Sequence, residues 1–154
     1  MEKRILVAGC SHYLREYITN GLYYISNEYY LRMLYKKYEV YNLSKKNLSS
    51  SEALLLIKAF LKVDSFNACV ISLGEGDYAL NKTKEEFKRN LMEIVSICNY
   101  YGVKIILQDP LDKKALKTYS EVIEEVRGYY HLDIINYHKV LLQERKRSPL
   151  GLRF

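Results

Sequence analysis

The sequence predicts an α/β domain: a five-stranded parallel sheet in a three-layer α/β/α arrangement, with flavodoxin-like strand order 2-1-3-4-5. Three observations predict it. Five short runs rich in branched residues punctuate the 154-residue chain. Each run is continuous rather than alternating, as in strands covered on both faces. A longer helical pattern follows each run, and regular alternation of strand and helix implies crossover connections and parallel pairing.

The first run, Arg4 to Ala8, ends at Gly9-Cys10-Ser11-His12, after which a helical pattern extends from Leu14 to Lys37. The second, Tyr38 to Asn42, precedes a helix over Ser51 to Lys62, opened by Ser49 with Glu52 as a capping box. The third, Ala68 to Leu73, runs into Gly74-Glu75-Gly76-Asp77. Thr83 with Glu86 then opens a helix over Lys84 to Tyr101, and Gly102 is placed to end it in a left-handed conformation. Val103 to Leu107 is the fourth strand, Pro110 blocks further pairing beyond it, and Lys114 to Arg127 is the next helix. Leu132 to Asn136 is the fifth strand, followed by Tyr137-His138 and a basic helix over Lys139 to Arg147. Residues 1–147 therefore read as one domain and 148–154 as an unpacked tail. In open sheets of this kind ligands bind at the carboxyl ends of the strands, near the switch point beside the first strand.

Composition narrows the classes of function. Hydrophobic residues make up 49% of the chain, enough for a core without disulfide support. Cys69 and Cys98 sit in apolar runs, where a thiol acts as a small hydrophobe, and no metal-type CxxC spacing occurs. A reducing, cytoplasmic setting is expected. The N-terminus lacks a secretory pattern, and no apolar run approaches the about 20 residues that span a bilayer. The net charge of +6 is spread over helix ends and loops, which reads as a solvated surface and disfavours nucleic acid as partner.

Gly9 permits a sharp turn at a strand end, and Ser11 then stands where a helix opens and main-chain N–H groups point outward. That placement suits a nucleophile beside oxyanion-stabilising amides, an anion-binding turn, or a plain helix cap. Dinucleotide binding is disfavoured by the single glycine, and no Walker-type loop occurs. No cofactor or metal is called for. Cys10 is a second nucleophile candidate, since a helix N-terminus lowers a thiol's pKa. Gly74 and Gly76 permit tight backbone turning near a ligand, and Glu75 and Asp77 could supply charge.

Taken together, the two turns resemble the SGNH hydrolase family, the GDSL-type lipases and esterases. Ile5-Leu6-Val7-Ala8-Gly9-Cys10-Ser11 matches the strand and G-D-S block that carries the nucleophilic serine, with Cys10 in place of the aspartate. Gly74-Glu75-Gly76-Asp77 matches G-x-N-D, with Gly76 in place of the asparagine. Val40-Tyr41-Asn42-Leu43-Ser44 leads into the second block, whose oxyanion glycine falls near Asn47. Phe87 to Leu91 and Gly102 to Pro110 are similar to the helix and fourth strand of these enzymes. The D-x-x-H that holds the family's general base does not occur, so the resemblance leaves His138, at the end of the fifth strand, or His12, beside Ser11, for that role.

The resemblance implies a serine esterase or acyl hydrolase acting on small esters or acylated sugars with an incomplete catalytic set. Ser11, His138 and His12 would be its catalytic candidates; Gly9, Cys10, Asn47, Gly74, Gly76 and Asp77 would line the oxyanion and binding region. A non-catalytic binding or assembly module on the same fold, with a protein partner, is the alternative, and a flavodoxin-like or phosphate-binding domain a third.

Overall fold

The computed structural model describes residues 3–9, 14–19, 22–27 and 38–132. Four strands form a parallel sheet: β1 (Arg4–Gly9), β4 (Glu39–Asn42), β5 (Ala68–Ser72) and β6 (Lys104–Gln108), in the order β4-β1-β5-β6. This is the expected 2-1-3-4 order with the first strand inside the sheet. The fifth predicted strand lies, beyond Leu132, outside the described residues, as do the helix Lys139 to Arg147 and the tail.

One expectation is overturned. Instead of a helix from Leu14, the chain forms β2 (Leu14–Thr19) and β3 (Leu22–Asn27), an antiparallel pair in which Thr19 faces Leu22 and Leu14 faces Asn27. The physical signals for this lie in the sequence. Half of each segment is β-prone, Tyr17, Ile18 and Thr19 in one and Tyr23, Tyr24 and Ile25 in the other, and the two residues between them are Asn20-Gly21, the dipeptide that most favours a two-residue hairpin. Local pairing around that dipeptide outweighs the helical spacing of leucines and tyrosines.

The described helices are α1 (Ser50–Val63), α2 (Glu75–Ala79), α3 (Lys84–Tyr100) and α4 (Lys113–Tyr130). Both expected capping boxes are present: Ser49 Oγ accepts from Glu52 N–H at 3.2 Å, and Thr83 Oγ1 accepts from Glu86 N–H at 3.1 Å. Gly102 follows α3 with φ 70°, as the stop signal predicted. Helix α4 runs one turn further than its apolar spacing indicated and ends on His131 in a left-handed conformation. Thr83→Ala should cost about 1 kcal/mol, the usual value of a lost N-cap, measured as a shift in urea midpoint at constant m.

Alternation along the strands sends side chains to two faces. Leu6, Ala8, Cys69, Ile71, Ile105 and Leu107 meet α1, α3 and α4 in one continuous core. Residues of opposite parity, Ile5, Val7 and Val70, are buried in a second cluster on the other face. The continuous apolar runs of the sequence follow directly, because β1 and β5 bury both faces. Cys69 and Cys98 are both fully buried, and contact with Cys98 and burial together push the Cys69 thiol well up. No helix among the described residues is long and apolar enough to cross a membrane.

Candidate active site

The second, third and fourth connections, which follow β4, β5 and β6, meet at the carboxyl edge of the sheet, where β1 ends at Gly9. Gly9, the last residue of β1, pairs with Ser72 of β5, which pairs in turn with Gln108 of β6. The segment after β4 folds back along β1: Leu43 N–H donates to the Val7 carbonyl at 2.7 Å and Lys45 N–H to the Gly9 carbonyl at 3.3 Å. These bonds hold the second connection beside the point where the chain leaves β1.

The segment after β5 is locked against the second connection. A Cβ on Gly76 would stand 2.5 Å from the carbonyl oxygens of both Asn47 and Leu48, so only glycine permits this approach. Next to it, the wholly buried Asp77 accepts from Ser50 N–H at 2.7 Å and Ser50 Oγ at 2.6 Å. Asn90 of α3 completes the group, its Nδ2 donating to Ser50 Oγ at 2.9 Å and Ser51 Oγ at 3.1 Å. Burial raises the Asp77 carboxyl above its ordinary range, against the hydrogen bonds from Ser50 and the charge of Lys82.

The fourth connection braces the other side. Gly74, with φ 142°, packs against Pro110, and Ser72 Oγ donates to the Asp109 carbonyl at 3.0 Å. Glu75 Oε1 accepts from Leu111 N–H at 3.0 Å. The buried Arg127 guanidinium donates to the Leu107 carbonyl at 3.2 and 2.9 Å and reaches Asp109 Oδ1 at 3.0 Å. Hydrogen bonds, not apolar contact alone, thus fix the rim around Gly9.

Of the residues singled out in the sequence, Gly9, Asn47, Gly74, Gly76 and Asp77 all lie in this edge region. Cys10, Ser11, His12 and His138 lie outside the described residues. Asn47 is exposed and has φ 57°, the left-handed conformation that a glycine adopts freely and asparagine tolerates. Asn47 thus takes a backbone shape that glycine would adopt without strain. Gly76 behaves differently: the space for an asparagine side chain is taken by the main chain of Asn47 and Leu48. Asp77 turns inward to Ser50.

Sequence reading did not single out Ser50, Asn90 or Arg127, although they build the rim. Asn90 lies in the Phe87 to Leu91 stretch read only for its resemblance to a family helix, and Arg127 was read as the end of a helix. A polar residue set among apolar ones in a packed helix was the available signal. Among the described residues, no three His, Cys, Asp or Glu side chains are grouped as a metal ion would require.

No protein-family model matches the sequence, and no curated protein matches it either. The fold, by contrast, has many solved counterparts. The esterase AlinE4, of the SGNH-hydrolase family, superposes with a TM-score of 0.70 at 16% identity over 99% of this chain and 84% of that one. The psychrotrophic esterase EstA from Pseudoalteromonas sp. gives 0.69 at 16% identity over 98% and 87%. The lipase/acylhydrolase from Enterococcus faecalis gives 0.66 at 17% identity over 97% and 81%. The chain has the SGNH hydrolase fold. At such identity the likeness is one of architecture, and it spans nearly the whole chain. In the SGNH fold of this protein, the carboxyl edge is held together by the Gly76 contact and the Asp77–Ser50–Asn90 group.

Proposed function

We propose that this protein is a serine ester hydrolase acting on small esters or acylated sugars. The observation that supports this best is that the connections after β4 and β5 meet at Gly9, the last residue of β1, through the Gly9–Ser72 pairing and the bond from Lys45 N–H to the Gly9 carbonyl. Ser11 follows Gly9 by two residues in the sequence. In the proposed reaction its Oγ attacks the ester carbonyl carbon while a histidine takes the hydroxyl proton. His138 is the first choice, since it follows the fifth predicted strand; His12, adjacent in sequence to the nucleophile, is the second. The carbonyl oxygen becomes an oxyanion held by main-chain N–H groups near Ser11, Asn47 and Gly74. The histidine returns the proton to the departing alcohol, and water then releases the acid from the acyl-enzyme.

Asparagine is missing from this set, because Gly76 stands in its place. Loss of one oxyanion donor lowers kcat by about 100- to 1,000-fold in comparable acyl-transfer sites, so slow turnover is expected. The test is labelling with a fluorophosphonate probe, followed by mass spectrometry of the modified peptide. Labelling should fall on Ser11, disappear in Ser11→Ala, and weaken strongly in His138→Ala. Failure of the parent protein to label, with p-nitrophenyl acetate turnover at background, would leave the binding or assembly module as the reading.

A further inference from the structure

At the amino edge of the sheet, opposite the candidate active site, an open cavity of about 330 Å3 lies between the ends of α1 and α3. Pockets that hold small ligands begin at about 300 Å3. Its wall is formed by the last turn of α1, Leu61 to Val63, and by Asp64, Ser65 and Phe66, which lead towards β5. Tyr101 and Val103, on the link from α3 to β6, complete it. None of these residues takes part in the carboxyl edge.

The wall is rich in acceptors and carries a few donors. Asp64 closes α1, its N–H donating to the Phe60 carbonyl at 3.0 Å. Ser65 N–H, the next donor in line, goes to Asp64 Oδ1 at 2.9 Å instead of continuing the helix. The carbonyls of the final turn are therefore left without the partners that a further turn would bring. Arg4 also donates to Asp64 Oδ1, which leaves Oδ2 as an acceptor. Lys62 adds a donor, and the exposed Ser65 a hydroxyl that can donate or accept.

Charge and shape narrow the ligand. Arg4 pairs with Asp64 and with Glu39, so these groups and Lys62 together sum to no net charge. Neither a free anion nor a free cation is favoured. The ring of Tyr101 is 42% exposed and meets Tyr100 at 5.0 Å between centroids and 87° between planes. A perpendicular contact takes at most one face of that ring. An aromatic face beside acceptors and a few donors, without net charge, matches a sugar ring: its C–H groups lie on the aromatic face and its hydroxyls both donate and accept at the rim.

We infer that this cavity binds a neutral saccharide, with a sugar ring stacked on Tyr101 and its hydroxyls bonded to the last carbonyls of α1, Asp64, Lys62 and Ser65. The site is separate from the ester-hydrolysing edge and stands whether or not that edge is active.

The test is titration of isotope-labelled protein, followed by amide NMR, with four neutral sugars: cellohexaose, xylohexaose, maltohexaose and chitohexaose. Inorganic phosphate and tetramethylammonium chloride serve as charged controls. At least one sugar should shift the amides of Lys62 to Phe66 and of Tyr101 saturably, with a Kd of about 1 mM. Tyr101→Ala should weaken that binding about tenfold and Ser65→Ala about threefold, whereas Tyr101→Phe, which keeps the ring, should bind like the parent. Both residues are exposed, so all three variants should keep the parent Tm. No shift of these amides by any of the four sugars at about 20 mM would overturn the inference. Shifts there from phosphate or tetramethylammonium alone would overturn it in favour of an ion site. Sugar binding unchanged in both Tyr101→Ala and Ser65→Ala would overturn it as well.

Discussion

Gly76→Ala should destabilise the protein by about 3 kcal/mol, lowering Tm by about 10 °C in thermal denaturation followed by circular dichroism. Two effects oppose each other here. Gly76 lies within α2, where alanine would normally be better by about 1 kcal/mol. Against that, the new methyl would stand 2.5 Å from two main-chain carbonyl oxygens, those of Asn47 and Leu48. Neither can move aside as a side-chain tip does. The steric term wins, and the second and third connections must separate. Gly76→Asn, which would put in the asparagine of the G-x-N-D block that the sequence resembles, is expected to be worse than alanine and to give no gain in ester turnover. A stable Gly76→Asn with increased kcat would show that the connections can part without harm.

Asp77→Ala should cost a similar amount, about 3 kcal/mol, for a different reason. The carboxylate takes both the N–H and the hydroxyl of Ser50 at the start of α1. Removing it leaves two buried donors unpaired, each costing about 1–3 kcal/mol. Asp77→Asn retains one acceptor and should lose about half as much. The same site has a pH signature. Burial raises the folded-state pKa of Asp77 above its unfolded value of 3.8, so the folded protein holds its proton to higher pH than the unfolded chain. The proton-linked part of its contribution to stability is therefore fully present below pH 3.8 and is lost as pH rises through the raised folded value, whereas the bonds from Ser50 persist. Asp77→Asn should remove that slope. Urea midpoints measured between pH 3 and 7 on both proteins give the comparison, and identical profiles would show that Asp77 titrates as in the unfolded chain.

Legibility of the fold in the sequence varied with the range of the interactions. Strands β1, β4, β5 and β6 lie where continuous branched runs placed them, and Ser49, Thr83 and Gly102 mark helix boundaries as their local chemistry required. These signals need only neighbours a few residues away. The segment from Leu14 to Asn27 was misread because helical spacing was weighed above the Asn20-Gly21 pair between two β-prone stretches. At the site, the carboxyl edge and the glycines at its turns were readable, since strand-end position follows from topology alone.

What the sequence determined by itself was an α/β chain with a first strand inside the sheet and glycines at the turn after β5. Only the tertiary structure decided what those glycines and polar residues do. Gly76 admits the main chain of Asn47 and Leu48, and Asp77 turns inward to Ser50, tying α1 to the edge. The physical reason is distance along the chain. Strand and cap preferences are settled within one or two turns, whereas each of these contacts joins separate elements, and no local pattern encodes which backbone will arrive beside which side chain.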